Sequence, residues 1–174
     1  MRQYSIMNLH VLCTILLFAF FGHLGAHEPF PVLTTYSLSG EQKTLPHPSL
    51  IFISCDQKKK EDLKKWYRAL QSKSWPKHIS IAIVPVFPTL LSWGYARTCL
   101  LNQVQAALPP SYKPYVFAHF SDRATLATAL YITESDLNTL HLFLVDKAGN
   151  ITWKAKGAPT DKAIEAIRNL ILHY

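Results

Sequence analysis

Among the side chains able to do covalent or metal chemistry, the chain offers 3 cysteines and 8 histidines. Cys55 is placed as thiol chemistry would want it. It follows the apolar run Leu50 to Ser54 (LIFIS) and precedes Asp56, Gln57 and the lysines Lys58, Lys59 and Lys60. A thiol between a strand end and a helix N-terminus, with ammonium groups nearby, has its pKa lowered and its nucleophilic thiolate favoured. The plainer alternative is a buried cysteine acting as a small apolar side chain. Cys13 falls in an N-terminal apolar run, which leaves Cys99 as a second thiol. Cys55 and Cys99 pair as a structural bridge or stay as two separate thiols. His27, His47, His78, His119 and His173 show no metal-ligand spacing with one another and read as surface or strand-end residues.

Positioning such a thiol requires a strand that ends before it and a helix that begins after it. Leu50 to Ser54 is apolar on both faces, as a central strand covered by helices must be. From Gln57 to Gln71, Leu63, Trp66, Tyr67 and Leu70 recur at the spacing of one buried helical face, and lysines and Arg68 fill most of the rest. Asp56 can cap this helix, although three lysines in the first turn oppose its dipole. His78 to Val86 (HISIAIVPV) is a second doubly apolar strand, ended by Pro85 and Pro88. Thr89 to Leu108 then carries Leu90, Trp93, Arg97, Leu100, Leu101 and Val104 at roughly helical spacing. Trp93, like Trp66, is therefore expected in the core.

Before the central strand, Thr34 to Leu38 (TTYSL) and Ser39-Gly40-Glu41 read as a short strand and a turn. After Pro109-Pro110, Tyr115 to Phe120 is extended and Asp122 to Leu130 is a small helix with Ala124, Leu126, Ala127 and Leu130 inward. Leu140 to Val145, the turn Asp146 to Asn150 and Ile151 to Lys156 form a hairpin. Ile151, Trp153 and Ala155 alternate with polar residues, so the second arm reads as a half-exposed edge strand. Trp153 there packs under the final helix or recruits a partner by strand addition. Asp161 to His173 is that helix, with Ile164, Ile167, Leu170 and Ile171 on one face and Thr160 as its cap.

The chain has 174 residues, 49% hydrophobic and 17% charged, which suits one well-buried domain. Residues 1–26 differ from the rest: Arg2 is their one charge, and Val11 to Gly22 is almost unbroken apolar sequence ahead of the small pair Gly25-Ala26. That pattern is a secretory signal peptide, leaving 27–174 as the folded domain; an uncleaved membrane anchor is the alternative. The expected location is therefore periplasmic or secreted, or N-terminally membrane-anchored. A net charge of +7 raises nucleic-acid binding, but the aromatic residues are not interleaved with the basic ones, and export argues against it. An anionic membrane surface or an acidic partner suits the charge better, beside a plainly solvated face.

The element order, strand, helix, strand, inserted helix and short strand, helix, hairpin, helix, resembles the thioredoxin-like superfamily, and in particular its redoxin branch. LFLVDKAGNITWKAKGAPTDKAIEAI resembles the closing hairpin and helix of redoxins, and YSLSGEQKTLPHPSLIFIS is similar to their opening. Asp146-x-x-Gly149-x-Ile151-x-Trp153 without a redox pair resembles assembly factors of mitochondrial ATP synthase and small periplasmic redoxin-like proteins. The resemblance implies an α/β thioredoxin-like fold, a central mixed sheet flanked by helices with an insertion after the third strand.

On that pattern the turn after the central strand should hold Cys-x-x-Cys, and it holds Cys55 alone, so dithiol exchange within the motif is not possible. His141 stands where the family places a cis-proline. A peroxiredoxin needs Thr or Ser three residues before its cysteine, and Phe52 is there instead. The resemblance places His141 facing the Cys55 turn, which makes Cys55 and His141 the candidate catalytic pair, His141 as base or as second ligand to a soft metal such as copper. Two ligands are too few for a metal site, so no metal or other cofactor is expected. The expected function is an exported binding, chaperone or assembly module with a protein partner, such as a membrane complex. The alternative is a single-cysteine oxidoreductase or peroxidase on Cys55.

Overall fold

The computed structural model describes residues 28–56, 59–71, 75–76 and 78–172. The expected signal segment 1–26, Cys13, His27 and His173 lie outside these residues.

Among the described residues eight strands form one mixed sheet in the order β1-β8-β7-β4-β5-β6-β2-β3. They are β1 (Glu28–Pro29), β2 (Thr35–Ser37), β3 (Gln42–Lys43), β4 (Ser49–Ser54), β5 (Ser80–Phe87), β6 (Phe117–Phe120), β7 (His141–Val145) and β8 (Asn150–Lys156). Among the described residues four α-helices accompany them: α1 (Lys60–Gln71), α2 (Gly94–Ala107), α3 (Arg123–Ala129) and α4 (Asp161–Ile171). β4 lies at the centre, parallel to β5 from Ser49↔Ser80 to Ser54↔Pro85 and antiparallel to β7 from Ser49↔Val145 to Ile53↔His141. β5 continues the parallel set into β6 through Val86↔His119 and Phe87↔Phe120.

The double apolarity of β4 follows from this placement. Successive side chains point to opposite faces. Leu50 and Phe52 share one core with Trp66 and Leu70 of α1, Leu101 of α2, and Ile167 and Ile171 of α4. Ile51 and Ile53 share the other with Leu126, Ala127 and Leu130 around α3, and with Phe30 and Leu33 from the N-terminal loop. Trp66 is fully buried, and its indole Nε1–H donates to the Gly157 carbonyl at 2.9 Å, so the polar end of the ring is satisfied as well. His119 of β6 is buried with its Nδ1 2.8 Å from the Thr34 carbonyl, a side-chain link from β6 to the chain entering β2.

Four local expectations change. Pro85 lies inside β5 rather than ending it: it is the last residue in register with β4, and Val86 is the first in register with β6, so the missing N–H falls at the changeover between ladders. β8 is not the outermost strand, because β1 pairs with its first residues and Glu28 forms an ion pair with Lys154. Trp153 of β8 packs edge-on against Trp66 of α1, ring centroids 6.1 Å apart, in the core that also holds Ile167 of the final helix. Ala124 is exposed rather than inward. The helix expected from Thr89 to Leu108 is broken: a 3-10 turn spans Thr89–Ser92, Trp93 is extended at φ −97° and ψ 133°, and Gly94 takes φ 42° to start α2. The break resets the helical phase, so Leu90 and Trp93 leave the face that Leu101 buries.

Candidate functional site

Three parallel strands, β4, β5 and β6, leave the sheet at the same edge, and the loops following them enclose a largely apolar cleft of about 400 Å³. In open α/β sheets this carboxyl edge is where ligands bind. Cys55 comes from the exit of β4, and Val86 to Leu90 from the exit of β5. Ser121, Asp122 and Arg123 come from the exit of β6 and the start of α3. Asp122 caps α3 by accepting from the Thr125 N–H at 2.8 Å, which fixes the first turn and hence the position of Arg123. The Arg123 guanidinium is braced from behind: Nη2 donates to the Glu134 carbonyl and to Asn138 Oδ1, both at 3.0 Å.

The electrostatics at Cys55 differ from the expectation of an activated thiol. Burial pushes its pKa above the ordinary thiol value, and the positive charge of Arg123 opposes that shift. Desolvation disfavours the charged thiolate, as it does for any half-buried acid in apolar surroundings. Cys55 lies several residues before the first residue of α1. Ser54 Oγ donates to the Asp56 carbonyl at 2.9 Å and accepts from the Asp56 N–H at 3.2 Å, and α1 begins only at Lys60. A dipole effect confined to the first turn of a helix is weak at that remove.

His141 is the first residue of β7, in register with Ile53 and buried. Its Nε2 is 2.9 Å from the Asp136 carbonyl and 3.3 Å from Thr139 Oγ1, and its ring stacks on Phe143 with centroids 6.2 Å apart. Those contacts tie the strand to the 3-10 turn Asp136–Asn138. His141 is not among the residues that line the cleft. Cys55 and Cys99 are both free thiols, so the disulfide alternative is not realised. Cys99 belongs to α2, where the Tyr95 phenol one turn earlier has its pKa pushed up by a hydrogen bond to the Cys99 sulfur. Among the described residues, no three His, Cys, Asp or Glu side chains gather as a metal site would require.

Sequence reasoning missed Arg123 and Thr89. The available signal was the Ser121-Asp122 pair: a capping residue at a strand exit places the next side chain over the ends of the parallel strands.

No protein-family model matches the sequence, and no curated protein matches it significantly. Solved structures do match. BsSco, a member of the Sco family of cytochrome c oxidase assembly proteins, superposes with a TM-score of 0.54 at 11% identity, over 84% of this chain and 93% of that one. The fold is thioredoxin-like. A thiol-disulfide oxidoreductase from Bacteroides fragilis shares this thioredoxin-like architecture at TM-score 0.51 and 12% identity, covering 82% of this chain and 99% of its own. A thio-disulfide isomerase from Thermus thermophilus does so at 0.50 and 14%, covering 83% and 95%. The thioredoxin-like scaffold here carries one cysteine at the exit of its central strand, with none from Asp56 to Lys60. No helix among the described residues is long and apolar enough to cross a membrane.

Proposed function

We propose that this chain is an exported thioredoxin-like module that binds a protein partner and performs no dithiol chemistry, its redox turn given over to recognition. One observation carries the reading: at the exit of the central strand a solitary, half-buried thiol, its pKa raised by burial, lines a largely apolar cleft. Thiol exchange and peroxide reduction both need the thiolate, and an upward shift depletes it at neutral pH. Export is supported by the basic start, the short apolar run and the small residues that end at Ala26. An assembly role on a membrane complex is supported by the sharing of this scaffold with BsSco, which belongs to a family of cytochrome c oxidase assembly proteins. Nucleic acid and cofactors have no place in the reading.

The test is turnover of a protein disulfide and of peroxide by the wild-type chain and by Cys55→Ser, followed by affinity capture from native membranes with both. Wild type should turn over neither substrate, and both proteins should retain the same partner. Turnover that disappears in Cys55→Ser would defeat the proposal and establish the second reading, a single-cysteine oxidoreductase or peroxidase. That reading is favoured by Arg123, whose charge pulls the Cys55 pKa down. In it the thiolate would attack a peroxide O–O bond, forming the sulfenic acid and releasing the alcohol or water; one external thiol would then condense with the sulfenic acid to a mixed disulfide and water, and a second would displace the cysteine thiol and leave as the external disulfide.

A further inference from the structure

The cleft at the carboxyl edge of the sheet combines an apolar lining with an immobilised cation. Val86, Phe87, Pro88 and Leu90 supply most of the lining from the exit of β5, and Arg123 lines the same cleft from the exit of β6. The guanidinium is fixed before any ligand arrives. Both Nη2 protons are spent on the Glu134 carbonyl and Asn138 Oδ1, at 3.0 Å each, which anchors the group to the loop ahead of β7. Nε and Nη1 donate to none of the described residues, so those N–H groups remain for a ligand.

Asp122, the carboxylate among the lining residues, is turned to its own helix. It accepts from the Thr125 N–H at 2.8 Å, and the hydrogen bonds from Thr125 are the main cause that holds its pKa below the usual carboxylate range. The charge of Arg123 is felt at Cys55, on the β4 side of the cleft. A braced cation with unspent donors beside apolar walls is complementary to an anion carried close to an apolar group. The carboxylates of Asp and Glu side chains meet that demand poorly, because a peptide unit on either side of them would follow into apolar surroundings. The end of a chain meets it well. Its carboxylate sits on the same Cα as the last side chain, so one residue presents the anion and the apolar group together. The cleft, at about 400 Å³, lies at the small end of ligand sites, which run from about 300 to 1,000 Å³, and suits a chain end better than a folded surface.

We propose that the cleft takes the free C-terminus of a protein partner ending in an apolar residue: Arg123 binds the terminal carboxylate, and Val86, Phe87, Pro88 and Leu90 receive the last side chain. This rests on the cleft being a recognition site and specifies what it recognises.

The probe is an array of short peptides immobilised by their N-termini, random except for the last residue, each made as the free acid and as the C-terminal amide, and incubated with the full chain. The apolar N-terminal run of the chain meets both forms alike, so their ratio reads the cleft. Free acids ending in Leu, Phe or Val should be retained roughly tenfold over their amides, and over free acids ending in Lys or Asp. Arg123→Gln should bring acid and amide to equality, and Arg123→Lys should recover part of the difference, since it restores the charge without the fork. Leu90→Ser should weaken the preference for an apolar last residue and leave the acid-to-amide ratio in place. The wild-type ratio decides the matter even if Arg123→Gln fails to fold. Equal retention of acids and amides by wild type, a ratio that survives in folded Arg123→Gln, or no retention of either form would overturn the proposal. Any of these leaves the recognition reading itself standing if wild type still captures a partner from native membranes, whereas disulfide or peroxide turnover that depends on Cys55 would remove that reading instead.

Discussion

Trp66→Phe tests how much the indole hydrogen bond contributes to holding α1, which follows the Cys55 turn, against the connection from β8 to α4, beside the bond from Arg168 Nη2 to the Ala69 carbonyl. The indole is fully buried, donates to the Gly157 carbonyl at 2.9 Å and meets Trp153 edge-on at 6.1 Å. Phenylalanine keeps an aromatic ring but removes the donor. Removing the donor from this half-buried carbonyl costs about 1 kcal/mol, and the smaller ring leaves a void costing about 1 kcal/mol more. Unfolding in urea followed by far-UV circular dichroism should therefore show a loss of about 2 kcal/mol, or a midpoint lowered by about 1 M at typical slopes. In a cycle with Trp153→Leu, the two rings should couple by about 0.5–1.5 kcal/mol. A midpoint that moves by less than about 0.3 M would refute the reasoning, because Gly157 would then have found another donor at no cost.

Three further outcomes follow from contacts already described. Thr160→Ala removes the hydroxyl that accepts from the Ala163 N–H at 3.2 Å and should cost about 1 kcal/mol of stability by thermal melting, whereas Thr160→Asp should restore it. Burial holds the His119 pKa below the ordinary imidazole value, so the unfolded chain binds the proton first as pH falls. Stability should decline as pH drops below about 6.5 and level off under the depressed native pKa. His119→Gln should flatten part of this decline in denaturation measured across that range, and the remainder should persist through His47, whose pKa burial also lowers. At neutral pH, folded Cys55 should react with iodoacetamide more slowly than a free thiol, and Arg123→Met should slow it again. Faster alkylation in either protein would contradict the placement of the thiol.

The sheet was legible because its strands obey short-range rules. LIFIS is apolar on both faces, and that pattern alone implies cover on both sides, which Trp66 and Leu126 supply from opposite cores. The final hairpin announced itself through its turn: Asp146 Oδ1 accepts from the Ala148 and Asn150 N–H groups at 2.8 Å, and Gly149 takes φ 86°. Trp93 was misread because periodicity counts positions and assumes an unbroken helix; one extended residue before Gly94 removes two side chains from the counted face. The charge environment of Cys55 was misread for a related reason. Adjacent lysines suggest a lowered thiol pKa, but burial raises it, and a cation that opposes the rise arrives from Arg123, far along the chain. β1 was missed because two residues carry no periodicity at all.

The way β4, β5 and β6 release their chains along one rim separates foldability from specificity. Each wall of the recess is delivered after its strand has finished pairing or nearly so: Thr89 and Leu90 lie beyond the last ladder residue of β5, and Asp122 and Arg123 beyond that of β6. Replacing those four side chains changes the shape and charge of the opening without breaking a rung of the sheet. A scaffold with that property can be refitted for new occupants one loop at a time, and a solitary sulfur can remain at its floor through every refitting.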